Sequence, residues 1–183
     1  MKIKKTGQWT QAAAAMAQLA ARTNLAREKA KLQEANYFRT KVLQAFQTRG
    51  KSNGTAWKPN AKSTIRKKRS SKPLIATAQL RNSVQVVKAS GGDVFVGVPN
   101  FVMRADGVSM VSIAAVHEFG KVIVQTRGAG FPAVIQIDPR PFIGPTADKH
   151  FKPADVAKRY LNRIAYLLGP TWAATASDKP PTK

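Results

Sequence analysis

Cysteine is absent from the chain, and long apolar runs are absent as well. The first absence excludes disulfides, thiolate metal ligands and cysteine nucleophiles, and it fits synthesis in a reducing cytoplasm. Apolar residues make up 43% of the 183 residues, but they lie in short runs, far below the roughly 20 consecutive apolar residues of a membrane span. The basic N-terminus is followed by Gln, Ala and Thr, so we expect neither a secretory signal nor a membrane partner.

Acidic residues are scarce. There are nine Asp and Glu against 31 Lys and Arg, which gives a formal net charge of +22. Such a charge indicates a polyanionic neighbour, and nucleic acid is the commonest one. A basic surface can equally keep subunits soluble or bind an acidic protein partner, so both interpretations stay open.

Residues 1–50 are predicted to contain one long helix, over residues 9–48. Good helix formers fill this stretch, neither Pro nor Gly interrupts it, and Gly50 is the predicted stop. The first half is rich in Ala and poor in bulk, so it either packs against another subunit or frays. The larger apolar side chains recur at spacings of mostly three, four or seven residues, which places them on one stripe: Met16, Leu19, Leu32, Ala35, Phe38, Val42 and Phe46.

Basic residues crowd the next segment, residues 51–72, which Gly, Pro, Ser and Asn mark as a loop with a short helix beginning near Ser63. No acidic residue occurs between Glu34 and Asp93. Like charges at this density repel one another, so the segment is expected to be exposed and mobile unless a partner neutralises it. The predicted contacts with DNA or an acidic partner are Lys51, Lys58, Lys62, Arg66, Lys67, Lys68, Arg69 and Lys72.

Short strands and helices are predicted for the rest of the chain. They are a helical or turn segment over 73–82, strands over 83–88 and 94–98, a helix over 112–119, strands over 122–125 and 133–137, and a helical region over 146–168 with Pro153 near a helix start. Strands and helices do not alternate as βαβ units. The expected class is therefore α+β, with a long N-terminal helix, a small antiparallel sheet with short helices packed on it, and a C-terminal helix.

One core is expected within residues 51–168, and residues 169–183 are expected to form a flexible C-terminal arm. Leu74 and Leu80 are predicted to face inward. The bulky side chains assigned to this core are Leu80, Val84, Val86, Phe95, Val116, Phe119 and Phe142.

The sequence contains no recognisable set of catalytic residues. His117 and Glu118 are adjacent, and consecutive helical residues point about 100° apart, so the pair does not readily share a ligand or relay a proton. The Gly-rich stretches match neither the P-loop nor the dinucleotide fingerprint. Carboxylates are spread singly, whereas nucleases usually hold divalent metal ions with clustered carboxylates. We therefore expect no cofactor, no metal ion and no enzymatic activity.

Four short motifs occur in one order. They are Trp57-Lys58-Pro59 followed by Thr64-Ile65, then Leu74 to Ser83 (LIATAQLRNS), Ile113 to Gly120 (IAAVHEFG) and Asp138 to Gly144 (DPRPFIG). Each motif alone is weak, but their order and separations resemble the phage virion morphogenesis and tail-completion proteins of long-tailed bacteriophages. The resemblance covers residues 55–168. Ala78 stands where that family usually has Gly, and Ile113-Ala114 stands where Tyr-Ala is common.

The resemblance implies a structural virion protein of the phage neck or upper tail, made in the host cytoplasm. It implies a homo-oligomeric ring around the DNA channel, a hexamer rather than a dodecamer. The ring would adjoin other neck, connector or tail-terminator proteins and could contact double-stranded DNA. Two alternatives remain: a basic DNA-binding protein without a virion role, and a metal-dependent nuclease.

Five motif residues are candidates for the subunit interface: Trp57, His117, Phe119, Arg140 and Phe142. Three of them have a second interpretation within the chain. Trp57 would be a lid of the core, and His117 a partly buried polar residue that fixes the short helix; these roles are favoured for both. Arg140, held between two prolines, would form an ion pair, for which Glu118 is a candidate partner.

Overall fold

The computed structural model describes residues 7–75, 77–125 and 133–169 of the chain. It has the α+β architecture that the sequence predicts. No helix of the described residues is long and apolar enough to cross a membrane. The elements along the chain are α1 (Trp9–Thr48), a 3-10 turn (Lys51–Asn53), α2 (Lys62–Lys68), α3 (Gln79–Ser83), β1 (Gln85–Lys88), β2 (Val94–Gly97), α4 (Met110–Phe119), β3 (Lys121–Gln125), β4 (Ala133–Ile137), α5 (Gly144–His150) and α6 (Pro153–Leu168).

The chain divides into two compact units. Unit 1 comprises Met1–Glu34 and Val156–Lys183, and unit 2 comprises Ala35–Asp155. Helix α1 contributes residues to both units. The predicted C-terminal arm lies outside the described residues from position 170 onward.

Helix α1 confirms the predicted long helix and its predicted stop. Gly50 adopts a left-handed conformation with φ of 79°, and its N–H donates to the Ala45 carbonyl at 2.8 Å. A Cβ at this position would lie 1.9 Å from the Thr55 carbonyl oxygen, so only glycine fits where the chain turns back.

Unit 1 joins the first part of α1 to α6. Glu34 is buried, and its carboxylate accepts hydrogen bonds from the Nε atoms of Arg159 and Arg163, each at 3.1 Å. These charged donors compensate the cost of burying the carboxylate. At the other end, Arg22 Nη2 donates to the Leu168 carbonyl at 3.2 Å. Because Glu34 lies beside the middle of α6 and Arg22 beside its last residue, the two helices run antiparallel.

The core of unit 2 contains the second half of α1 and the motif residues. Leu74, Leu80, Val84 and Phe142 are buried there, as predicted. The cluster consists of Phe38, Val42, Ala45, Phe46, Trp57, Leu74, Leu80, Val84, Val98, Met110, Ala114 and Phe142. The sequence motifs therefore lie in or against one core rather than on separate surfaces.

Two aromatic residues assigned to the core are exposed instead, namely Phe95 and Phe119. On α4, Met110 is buried, and Phe119 follows nine residues later, about 180° around the helix axis. In β2, successive side chains point to opposite faces, and Val94 and Val96 take the more buried face. The prediction was wrong because both short elements carry apolar residues on two sides.

Two separate antiparallel hairpins form the β-structure, where the sequence predicted one small sheet. Strand β1 pairs with β2, with Val86 opposite Val96. Strand β3 pairs with β4, with Val124 opposite Val134. All four strands begin within two residues of their predicted starts. The Gly-rich connection predicted at 127–130 lies outside the described residues.

The helical region predicted over 146–168 is two helices. Phe151 has φ of −119° and ψ of 35°, which is not helical, and it follows the end of α5. Pro153 then begins α6, as predicted, since its fixed φ suits the first helical turn.

Candidate assembly site

The Glu118 carboxylate connects the third and fourth motifs. It accepts the backbone N–H groups of Phe142 at 2.8 Å, Ile143 at 3.2 Å and Gly144 at 2.7 Å. These donors belong to the start of α5, where N–H groups have no partner within a helix and the helix dipole favours negative charge. A Cβ at Gly144 would lie 3.1 Å from Glu118 Oε1, so the missing side chain permits the close approach.

A second set of contacts holds the end of α4 against the proline-rich segment of the fourth motif. The backbone N–H of Arg140 donates to the His117 carbonyl at 2.6 Å. Gly120 has φ of 77°, and a Cβ there would lie 3.0 Å from the Ile137 carbonyl oxygen and 3.2 Å from Pro139. With ψ of 169°, the Gly of the third motif therefore serves both a backbone conformation essentially restricted to glycine and a close backbone contact.

The first motif reaches the same place through Trp57. Its indole Nε1–H donates to the Pro141 carbonyl at 3.0 Å. The Phe46 ring lies edge-on to Trp57 at 5.6 Å and tilted against Phe142 at 4.8 Å, measured between ring centroids. Asn53, in the turn after α1, donates to Thr146 Oγ1 at 3.2 Å. The first, third and fourth motifs thus form one junction around the fully buried Phe142.

Beside this junction, unit 2 exposes apolar side chains. Phe119 is 80% exposed, directly after the Glu118 that anchors α5. A groove of about 400 Å³ lies beside it, lined by residues that include Phe95, Val111, Ala115, Phe119 and Ile143. Val122, Val124 and Val134 lie on one face of the β3–β4 hairpin and are also exposed. We call these residues of the groove and the hairpin the apolar surface of unit 2.

All eight basic residues proposed as DNA or partner contacts are exposed. Helix α2, which confirms the short helix predicted to begin near Ser63, carries Lys62, Arg66, Lys67 and Lys68. Arg69 follows it in a left-handed conformation. Lys58 donates to the Asp138 carboxylate at 3.1 Å, which neutralises one of the eight charges within the chain.

The chain resembles one protein family over most of its length. Residues 5–162 match the model of the phage virion morphogenesis family. The chain belongs to that family. Its role is accordingly in the assembly of a phage virion, and the resemblance carried by the four motifs is confirmed. The comparisons with curated proteins and with solved structures found no match.

The five interface candidates of this family member occupy different environments. Trp57 and Phe142 are buried inside unit 2, so little of either is accessible to another subunit. Arg140 is partly exposed, and its Nε lies 3.4 Å from the Lys58 carbonyl. The ion pair of Arg140 with Glu118 is not formed among the described residues. Phe119 alone of the five presents most of its side chain to solvent.

His117 is the polar residue of the junction whose side chain has a ring nitrogen without a hydrogen bond. Its Nδ1 is buried and has no hydrogen-bond partner among the described residues. Burial, and after it the positive charges of Arg140 and Lys68, lower the pKa of His117 to about 4. The ring is therefore neutral near pH 7. No group of three His, Asp or Glu side chains that could hold a metal ion occurs in the part of the chain that the structure describes.

Several residues of the junction escaped the sequence reasoning. Asn53 and Thr146 are buried polar residues that bond to each other, and nothing in their spacing connects positions so far apart. Glu118 was considered a partner for Arg140, whereas it binds backbone N–H groups. A carboxylate on one motif and a Pro-Phe-Ile-Gly helix start on another were the available signal.

Proposed function

We propose that this family member is a tail-completion or neck subunit that assembles as a ring of copies around the DNA channel and performs no catalysis. The observation that carries the proposal is that unit 2 combines an apolar exposed surface with a basic exposed segment. The first suits contact with further copies, and the second suits contact with a polyanion. A hexamer is proposed rather than a dodecamer.

The apolar surface of unit 2 supports the contact between copies. Large exposed apolar patches on soluble proteins commonly mark interaction sites. Different residues line the groove beside Phe119 and the valine face of the β3–β4 hairpin, so one copy's hairpin can meet the groove of the next. Such a head-to-tail contact generates a ring when the rotation closes.

The basic segment supports the contact with a polyanion. Helix α2 and its flanking residues present several uncompensated positive charges, and Lys and Arg side chains bind DNA phosphates with strong salt dependence. We propose that residues 51–72 face the DNA channel or an acidic neighbouring ring of the neck.

The ring is tested by light scattering after size-exclusion chromatography of the purified chain, together with electron microscopy of the chain and of phage particles. We expect rings of copies and the presence of the chain at the neck or upper tail. A chain that stays monomeric at every concentration, and that is missing from complete particles, would overturn the proposal.

The basic segment is tested by reversing Arg66, Lys67, Lys68 and Arg69 to Glu in the phage. We expect particle completion to fail. The matched control reverses four exposed basic residues outside the segment, namely Arg27, Lys29, Lys152 and Lys158, and thus changes the net charge equally. Normal infectious particles from the first variant would contradict the proposed role of residues 51–72. Equal failure of both variants would mean that the loss comes from the change in net charge and not from this segment.

A DNA-binding protein without a virion role is the second candidate, and the net charge of +22 favours it. It would bind duplex DNA as a monomer or dimer, with affinity falling steeply as salt rises. It would also be missing from purified particles. Binding measurements at several salt concentrations, set beside the particle composition, separate the two candidates.

A further inference from the structure

Helix α1 carries a stripe that is buried in one part and exposed in another. Ala26 and Ala30 are buried in unit 1, whereas Leu19, Met16 and Trp9 are exposed. These residues share two seven-residue repeats, a spacing typical of helices that pack along a seam. The first repeat is Trp9, Met16, Thr23 and Ala30, and the second is Ala12, Leu19 and Ala26.

The exposed part of the stripe begins where α6 ends. Helix α6 runs antiparallel to α1, and its last residue, Leu168, lies at Arg22. Residues 9–21 extend about 20 Å beyond that point. Every one of them is exposed in the described chain. The stripe that is buried at Ala26 and Ala30 therefore continues as an open seam toward the N-terminus of α1.

An open helical segment of this length gains little stability from its own hydrogen bonds. In a helix that is already nucleated, each further residue multiplies the helix equilibrium by only about 1–1.6, even for good helix formers. Residues 9–21 include seven Ala, which allow another helix to approach closely, while Met16 and Leu19 supply bulk for packing. The segment is thus built for contact with a further helix.

The distribution of charge along the chain indicates which molecule supplies the second helix. No charged residue occurs between Lys5 and Arg22, in a chain with a net charge of +22. An acidic partner would be drawn to the basic surfaces elsewhere and would gain nothing from an uncharged helix. A second copy has the same positive charge, so copies approach most favourably where neither presents a cation.

We propose that residues 9–21 of α1 pair with the same segment of a second copy of this chain, seam against seam. The pairing goes beyond the proposed ring, because it uses unit 1, whereas the ring contacts use the apolar surface of unit 2. It joins copies through a contact that can form with or without a closed ring.

Cysteine cross-linking tests the pairing, since the chain has no cysteine of its own. Met16→Cys meets its counterpart in a parallel pair, whereas in an antiparallel pair the first repeat faces the second, so Met16→Cys is tested both alone and combined with Leu19→Cys. Ala17→Cys is the matched control, one residue away and about 100° around the helix. Under mild oxidation we expect at least about tenfold more cross-linked dimer from Met16→Cys or from the double variant, because a disulfide needs Cα atoms within about 7 Å. The pairing would be overturned if neither the single nor the double variant gave more dimer than Ala17→Cys.

A second pair of variants measures the strength of the pairing between copies. Met16→Glu places a carboxylate in the seam, and Ala17→Glu places the same charge outside it. We expect Met16→Glu to raise the dissociation constant at least about tenfold and Ala17→Glu to change it less than about threefold, by sedimentation equilibrium. Helix content by circular dichroism checks that both variants fold.

The outcomes separate this pairing from the ring and from other occupants. If rings form but neither Met16→Cys nor its combination with Leu19→Cys gives cross-links, the pairing is wrong and the proposed ring is supported. If cross-links form but rings do not, the pairing is supported and the proposed ring is wrong. Residues 170–183 follow α6 directly, so they are a rival occupant of the seam. If their deletion creates cross-links that the full chain lacks, the seam is covered within one copy and the pairing is wrong.

Discussion

The Glu118 carboxylate and the backbone N–H of Gly144 lie 2.7 Å apart, although 26 positions separate the two residues in the sequence. The other carboxylate oxygen binds the N–H groups of Phe142 and Ile143. A single side chain thus fixes where α5 begins relative to α4. It also fixes the backbone on both sides of Phe142, the aromatic residue at the centre of the junction.

Removal of this carboxylate is expected to destabilise the fold. Glu118→Ala leaves three partly buried N–H groups without their acceptor, which costs about 3 kcal/mol of unfolding free energy. Glu118→Gln keeps one acceptor oxygen and costs about 1–2 kcal/mol. Urea unfolding measures both values. Glu28→Gln is the control, because its ion pair with Lys31 is exposed and is worth less than about 1 kcal/mol. A loss for Glu118→Ala no larger than that of the control would contradict this role.

Gly120 is expected to tolerate no side chain. In Gly120→Ala the Cβ would press on the Ile137 carbonyl and Pro139, at φ of 77° and ψ of 169°, a conformation essentially restricted to glycine. Gly107 also has a positive φ, of 80°, with open space around the added atom, so Gly107→Ala measures the cost of a positive φ alone, about 1 kcal/mol. We expect Gly120→Ala to lower the thermal midpoint clearly more than Gly107→Ala. Equal shifts would mean that the close contact contributes nothing.

Acid is expected to destabilise unit 2 through His117. Its pKa is about 4 in the folded chain because of burial, then Arg140 and Lys68, whereas the ordinary value is 6.5. As the pH falls below about 6.5 the unfolded chain binds this proton first, so the unfolding free energy decreases until about pH 4 and then levels. Solvent screening of a partly exposed ring limits the loss to the order of 1 kcal/mol.

The measurement is urea unfolding across this range of pH, for the native chain and for His117→Gln. The variant is expected to lack the part of the slope that His117 causes. NMR titration of the ring protons gives the pKa directly, with His150 in the same spectra for comparison. A His117 pKa near 6.5 would show that the ring is not held as described.

Two phenylalanines in neighbouring motifs are expected to respond differently to removal. Phe142→Ala empties a fully buried site and costs about 3–5 kcal/mol of unfolding free energy. Phe119→Ala changes an exposed position and leaves stability within about 0.5 kcal/mol, while it weakens ring formation. Chemical unfolding and electron microscopy measure the two effects. Normal rings from Phe119→Ala would remove this residue from the proposed interface.

Local patterns explain which elements were predictable. The long run of helix formers before Gly50 and the alternating strands around Gly91 and Gly92 carry their own structural preferences. The orientation of short elements was harder to predict from the sequence. Helix α4 and strand β2 have apolar residues on two sides, and the segments packed against them determine which side is buried. Phe95 and Phe119 were misplaced for this reason.

The junction was recognisable only as a set of motifs. Their order indicated the family, yet no local rule assigns Glu118 to the start of α5 or Trp57 Nε1 to the Pro141 carbonyl. Such contacts depend on where distant segments meet. The burial of Glu34 could likewise not be predicted, since the two arginines that bind it lie more than 120 positions later in the sequence.

The β3–β4 hairpin has a consequence for the chain before it is assembled. Its two strands pair only with each other in the described chain, and exposed strand edges with apolar faces are templates for aggregation. Mutual repulsion from the net charge of +22 keeps such edges of different copies apart. That repulsion extends about 10 Å at 0.1 M salt and about 3 Å at 1 M. Raising the ionic strength is therefore expected to shorten the time for which unassembled copies stay in solution.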